Sequence, residues 1–225
     1  MNQFVALTQL VSVWLALCTS GWAAEPNTGR AEAIAEIEKL GGRFTVDGTS
    51  ADRAVIRVSL YGTKVTDAQL EHLKAFTNLQ SLILAWTNIT DDGVKNLRGL
   101  TKLQDLNLMG TKVTDAGLEH LEGLTGLQHL TLLGTKVTGA GLRHLKGLTN
   151  LKSLVLSNTG VTDAGLENIQ GLTKLQFLAL YGTKVSSAGL THIKNLTSIQ
   201  RLDLCSTAAG AGGLKYLSVR EIRAE

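Results

Sequence analysis

The sequence predicts an α/β solenoid of seven stacked coils, with a parallel sheet on the concave face and short helices on the convex face. Three observations carry this. Leu79, Leu103, Leu127, Leu151, Leu175 and Ile199 fall at a strict 24-residue interval with no insertion or deletion, and a fixed period of this size marks a stacked repeat. Every copy carries the same seven apolar slots, such as Leu103, Leu106, Leu108, Val113, Leu118, Leu121 and Leu124; from residue 53 onward only Arg220 departs from the set. Finally, the apolar spacing changes halfway through each copy. Leu103-x-x-Leu106-x-Leu108 ends in the alternation of a half-buried strand, and Thr114-Asp115-Ala116-Gly117-Leu118-x-x-Leu121 switches to i, i+3 spacing.

One unit therefore reads as strand, tight corner, about two helical turns and a corner back. Thr114 is placed as the helix N-cap and Gly123 as the left-handed residue that stops it. No unit can bury its leucines alone, whereas stacked units can, each side chain then contributing roughly 1.5–3 kcal/mol. Glycine recurs at the fourth residue of the helical stretch in six units, Gly93, Gly117, Gly141, Gly165, Gly189 and Gly213. Glycine inside a helix costs about 1 kcal/mol against alanine, so the repetition predicts close backbone approach between neighbouring coils. The first unit has Gln69 there, consistent with its lacking a full coil on one side.

The pattern LxxLxLxxTxVTDAGLxxLxGLT resembles the leucine-rich-repeat family, and is similar to its cysteine-containing and ribonuclease-inhibitor-like classes and to secreted bacterial repeats of the TDAGL type. The resemblance implies a right-handed horseshoe arc and a non-enzymatic role in protein–protein interaction through the concave face. One departure is systematic: the usual Asn or Cys after the strand is Thr63, Thr87, Thr111, Thr135, Thr159, Thr183 and Thr207. A buried hydroxyl still donates and accepts, so a threonine ladder is expected to satisfy the corner backbone.

Residues 1–23 resemble a secretory signal peptide: an apolar run without charged side chains, then small residues, with cleavage after Ala23. This places the mature protein outside the cytoplasm, secreted or at the cell envelope, with no membrane span. A retained anchor is the rival reading; the lipoprotein-like Leu15-Ala16-Leu17-Cys18 carries too large a residue before its cysteine. Residues 24–52 are read as a linker and N-terminal cap. Its helix spans 31–40, with Ile34 and Ile37 on one face, and ends at Gly41-Gly42; a strand over 43–46 follows. Such a cap covers a leucine layer and a strand edge that the first coil would otherwise expose. The array occupies 53–220, its last unit degraded by Ala208-Ala209-Gly210-Ala211-Gly212-Gly213, and 221–225 form a tail.

Several function classes find no support. The formal charge of +3 without a basic block argues against nucleic acid. Once the leader leaves with Cys18, Cys205 stands without an internal disulfide partner. The slot of His72, Asn96, His120, His144, Asn168 and His192 is read as a solvated convex face rather than a zinc site, lacking a closed ligand set. No HExxH, GxSxG or phosphate-loop spacing occurs, so no catalytic residue, metal or cofactor is expected.

The positions that break the repeat are the informative ones. Residues between the strand leucines point onto the concave face. There Ile83, Trp86, Met109, Leu133, Val155, Phe177 and Tyr181 are expected to form an apolar stripe, with Tyr61 beside it and Asp105, Asn107, His129 and Arg201 as a polar rim. Trp86 stands where four of the seven units have glycine. Seven strands about 4.8 Å apart span roughly 29 Å, enough for a peptide or a small domain surface. A monomer binding a protein or peptide partner is the expectation. The alternatives are glycan or cell-envelope binding, with Tyr61, Trp86 and Tyr181 stacking on sugar rings, and an adaptor role similar to the repeat domains of ubiquitin-ligase substrate receptors. The leader disfavours the adaptor. Drift on an unselected face is the bland reading.

Overall fold

The computed structural model describes residues 28–49, 53–209 and 221–223. The leader, the last coil's glycine-rich stretch and Arg220 lie outside the described residues. Among the described residues nine strands form one sheet in chain order. β1 (Arg43–Val46) pairs antiparallel with β2 (Val55–Ser59) through a register shift at Thr45/Val46. From β2 onward the pairing is parallel, through β3 (Ser81–Ile83), β4 (Asp105–Asn107), β5 (His129–Thr131), β6 (Ser153–Val155), β7 (Phe177–Ala179), β8 (Arg201–Asp203) and β9 (Glu221–Arg223). The register sets Leu82 against Leu106, Leu130, Leu154, Leu178 and Leu202 in turn. Glu221–Arg223, which the repeat register leaves in the tail, instead extend the sheet, with Ile222 opposite Leu202.

Because the chain repeats in register, equivalent leucines stack. The six core slots of the third coil from Leu103 to Leu121, and Leu124, are each at most 2% exposed, and the same slots in every described coil join one continuous core. At the N-terminal end α1 (Thr28–Lys39) lays Ala33 and Ile37 on the first coil and ends at Gly41, whose φ of 75° is the expected left-handed stop. Among the described residues no helix is long and apolar enough to cross a membrane.

The convex elements are shorter than two turns: α2 (Asp91–Lys95), α3 (Asp115–Glu119) and α4 (Asp163–Leu166), with 3₁₀ turns at Gly141–Leu145, Glu167–Ile169 and Gly189–Ile193. Among the described residues only the first coil carries a longer 3₁₀ stretch, Ala68–Ala75. The coils close with i→i+3 bonds such as Leu97 N–H to Val94 O (2.9 Å) and Leu100 N–H to Leu97 O (2.9 Å), which tighten the path back to the strand.

Two recurrent side-chain bonds shape the coils. Every threonine of the slot after the strand donates its hydroxyl to the leucine carbonyl three residues earlier, from Thr63 Oγ1 to Leu60 O (2.8 Å) through Thr207 Oγ1 to Leu204 O (2.6 Å). The bonds lie within a coil, so threonine satisfies its own corner rather than bridging coils. The bridge is made by aspartate. Asp91 accepts from the next coil's Thr114 at both oxygens (N–H to Oδ1 2.8 Å, Oγ1–H to Oδ2 2.6 Å), and Asp67, Asp115 and Asp163 hold Thr90, Thr138 and Ser186 in the same way. Charge-assisted pairs of this kind are among the stronger hydrogen bonds.

This ladder explains the recurrent glycine. A Cβ on Gly93, Gly117, Gly141 or Gly189 would lie 2.3–2.4 Å from Oδ1 of the preceding coil's aspartate. The nearest atom is therefore a carboxylate oxygen, with the backbone close behind it at Gly141 and Gly189 (3.0 Å from the Asp115 Cα and 2.9 Å from the Asp163 Cα); at Gly165, where Gly139 stands in the aspartate slot, the nearest atom is backbone, the Gly139 Cα at 2.5 Å. The first coil has no predecessor to supply aspartate. Gln69 takes over within the coil, its Oε1 accepting from Thr66 N–H (2.9 Å) and hydroxyl (3.0 Å) while its amide donates to Glu36 of the cap (2.7 Å). Those bonds, with the Lys39 contact first in importance, hold the Glu36 carboxyl below its ordinary pKa. Thr114 does cap α3, accepting from Ala116 N–H at 3.3 Å, but Thr90 and Thr162 make no such bond. Gly123 is not left-handed, and open space surrounds the place of its Cβ, so nothing in the structure requires glycine there.

Candidate functional site

The concave face is built by the strand positions that alternate with the buried leucines. Ile83, Asp105, Asn107, Val155 and Phe177 are half-buried on it, while His129 and Arg201 are exposed. In the slot that follows, Met109 and Leu133 are half-buried, and Tyr61 and Tyr181 are 60% and 41% exposed. The stripe is uneven in exposure. Ala85, Ser157 and Ala179, members of the same slots, are buried, so exposure concentrates at Tyr61, Trp86 and Tyr181, with the half-buried Ile83, Met109, Leu133, Val155 and Phe177 lying between them along the stack.

The polar rim is partly engaged already. His129 Nε2 lies 3.9 Å from Asp105 Oδ1 across adjacent strands. Asn107 Oδ1 accepts from Met109 N–H (3.0 Å), as Asp203 does from Cys205 N–H (3.1 Å), each fixing its strand's outgoing bend. Arg201 pairs with Glu221 at 3.0 Å, and its guanidinium carbon lies 6.0 Å from the centre of the Phe177 ring. Cys205 is half-buried and free.

The corner beyond the strands is the distinctive part. The ladder continues into it, with Trp86 N–H bonded to Met109 O at 2.8 Å and Gly110 N–H to Leu133 O at 2.8 Å. All seven residues of this slot have positive φ: Gly62, Gly110, Gly134 and Gly182 at 64–67°, and Trp86, Asn158 and Ser206 at 58°, 53° and 55°. Glycine takes that conformation freely; asparagine is the best of the rest, and a bulky side chain there is an outlier that costs on the order of 1–3 kcal/mol. Trp86 nonetheless occupies it and leaves 56% of its surface exposed. Its six-membered ring rests on Gly110, where an added Cβ would lie 2.6 Å from Cε3. Gly110 is thus glycine for two reasons, its own φ of 65° and the indole above it. The sequence singles out Trp86 but not Gly110; the signal was the run of glycines in that slot, which marks left-handed backbone.

The convex histidine slot is not simply solvated. Asn96 and Asn168 reach back to carbonyls of the preceding coil, Nδ2 to Asp67 O at 3.0 Å and to Gly139 O at 3.2 Å. His144 Nδ1 meets Glu122 Oε1 at 2.5 Å with its side chain only 12% exposed. His120 Nδ1 meets Arg98 Nη2 at 2.6 Å. Burial first, then the Arg98 charge, lowers the His120 pKa. These residues tie coils together.

The family model described as Leucine Rich repeat matches residues 77–97, 99–121 and 147–169. No curated protein matches the sequence. Among solved structures, an internalin (InlF) from Listeria monocytogenes superposes with a TM-score of 0.66 at 26% identity, covering 86% of this chain and 55% of that one, so this chain spans about half its length. Internalin C2 from the same organism gives 0.56 at 23% identity, over 86% of this chain and 92% of that chain. PEPR1, solved with AtPEP1, gives 0.54 at 19% identity, over 78% of this chain and 25% of that chain; at these last two identities the likeness shows the fold alone. Register, leucine core, matched repeats and superposed solenoids agree on a leucine-rich-repeat solenoid, with three of its units matching the family model.

Proposed function

We propose that this chain is an exported, non-enzymatic scaffold that binds a protein or peptide partner on its concave face, centred on Trp86. The observation that carries the reading is the combination at Trp86. A large aromatic sits in left-handed backbone, where its neighbours in the stack use glycine, and yet keeps more than half its surface in water. Stability alone favours glycine in that slot and a buried indole elsewhere. Exposed aromatics beside half-buried apolar residues, here Trp86 and Tyr61 with Ile83 and Met109, are the anchors of protein interfaces. The apolar leader of residues 1–23 supports export. The structure titled PEPR1–AtPEP1 is a relative in fold solved with a second component, which is in keeping with this use of the scaffold.

The test is capture from the native host's envelope fraction with the mature protein as bait. A partner held by wild type is expected to be lost with Trp86→Ala or Met109→Asp and kept with Glu119→Ala or Lys146→Ala, all four variants showing the same circular dichroism. Equal loss from the two convex variants refutes the assignment of the face. A captured glycan instead of a protein refutes the class of partner.

A further inference from the structure

The edge where each coil enters its strand carries a second repeating surface. One of its slots reads Asn78, Lys102, Gly126, Asn150 and Lys174 along the stack, and another, two residues on, reads Gln80, Gln104, Gln128, Lys152 and Gln176. At Gly126 the first slot has no side chain, and a cleft of about 470 Å³ opens there. Its walls are Lys102, Gln104, Gln128, Asn150, Lys152 and Lys174; no carboxylate and no aromatic ring lines it. That size falls in the ordinary range of ligand sites.

The lysines are held in place. Lys152 Nζ donates to Gln128 Oε1 at 2.9 Å and Lys174 Nζ to Asn150 Oδ1 at 2.8 Å, each leaning back one coil toward the Gly126 gap. Asn150 is fixed in turn by Nδ2 to Thr125 O at 3.0 Å. Lys102 likewise leans back one coil, onto Asn78 Oδ1, which turns its ammonium away from Gly126 and leaves its stem as the opposite wall. Among the described residues none of the three lysines takes part in an ion pair. Their partners are neutral amides, and each ammonium keeps two N–H groups for a ligand.

We propose that this notch is a binding site for a carboxylate-rich, extended peptide segment, separate from the Trp86 corner. The ammonium groups match acidic side chains, and each primary amide presents a donor and an acceptor, the complement of a peptide group. Lys102 and Lys174 are three coils apart, about 14 Å, which an extended segment of about four residues crosses. Without an aromatic ring the notch gives a sugar or a base no face to rest on.

The experiment uses the full chain with labelled hexaglutamate, read by fluorescence anisotropy at low ionic strength, with hexaglutamine and polygalacturonate as parallel arms. Saturable binding of hexaglutamate alone is expected, weakening as salt is added. Lys152→Gln/Lys174→Gln should lower affinity about tenfold, the loss of two exposed ion pairs. Gly126→Asn is the sharper variant. It places in the gap the residue found in that slot at Asn78 and Asn150, its Cβ 3.1 Å from Thr101 O, and it changes no charge. Loss of binding with Gly126→Asn supports a built site; wild-type affinity there means diffuse attraction and overturns it, as does equal binding of polygalacturonate or none of hexaglutamate. Should Gly126→Asn not fold, the lysine pair on the exposed edge decides. Trp86→Ala is expected to leave hexaglutamate binding unchanged, so the notch and the concave corner stand or fall separately.

Discussion

Replacing Trp86 by glycine and, separately, by alanine isolates the backbone strain on which the functional argument rests. Both variants lose the same indole packing on Gly110, so that contribution cancels between them. What remains is the conformation at φ 58°. Alanine keeps a Cβ in left-handed backbone, which costs roughly 1–2 kcal/mol. Glycine escapes that penalty but loses about 0.5–1 kcal/mol more chain entropy on folding. Trp86→Gly is therefore expected to be more stable than Trp86→Ala by about 1 kcal/mol, the reverse of the usual order. Equilibrium unfolding in urea reads this directly: with a slope near 2 kcal/mol/M the midpoints separate by about 0.5 M. Ala164, exposed near the start of α4 and not among the positive-φ residues, is the control, and Ala164→Gly should destabilise by about 0.5–1 kcal/mol. If the alanine variant at Trp86 equals or exceeds the glycine variant, the position is not strained, and the case for a retained functional aromatic collapses.

Three further outcomes follow from the packing. Leu130→Ala, at a fully buried central slot, is expected to destabilise by about 2–5 kcal/mol in the same urea assay, and a loss under 1 kcal/mol would mean that the core is loose. Asp91→Ala removes both acceptors of Thr114 and should cost about 1–3 kcal/mol, whereas Gly117→Ala, which drives a methyl into the Asp91 carboxylate, should cost much less in the Asp91→Ala background than alone; additive losses would separate the two residues. For His120 the folded state resists protonation that the unfolded chain accepts near pH 6.5, so its contribution is complete above that pH and declines as the pH falls toward the lowered folded-state pKa. A stability–pH curve for His120→Gln should be flatter in that acid window, and an unchanged slope would contradict the assignment.

Much of the fold was legible because the leucine register is a global constraint: one slot misread in one coil is corrected by six others. The strand direction, the stacked core and the helical cap ending at Gly41 all follow from it. What the sequence hid were relations between coils. Asp in one coil and Thr and Gly in the next are parts of a single contact, Asp91 with Thr114 and Gly117, yet they lie 23 and 26 residues apart, and each alone suggests a local cap or a helix defect. Gln69 reads as an exception until Asp is seen to be missing before it; then it is the same bond made locally. Two glycine slots were also hard to tell apart. The one containing Gly123 looks like a helix stop but has ordinary backbone, and the one containing Gly110 carries the left-handed turn. Composition cannot separate these, since both repeat equally well.

At the site, the strand alternation was enough to place the apolar residues on the concave side. It was not enough to foresee that Ala85 and Ser157 sink out of reach, or that Arg201 is drawn to Glu221, because both depend on neighbouring side chains. The strain at Trp86 follows from its slot rather than from its own chemistry.

The most direct test of the proposed binding face is site-specific photo-crosslinking in the native host's envelope. A photoreactive side chain replaces Met109 on the concave face or Glu167 on the convex face, both in the folded mature protein. A discrete protein adduct from position 109, absent from position 167 and abolished by Trp86→Gly, is the predicted result. Adducts of equal yield from both positions, or an adduct at 109 that survives Trp86→Gly, would contradict it.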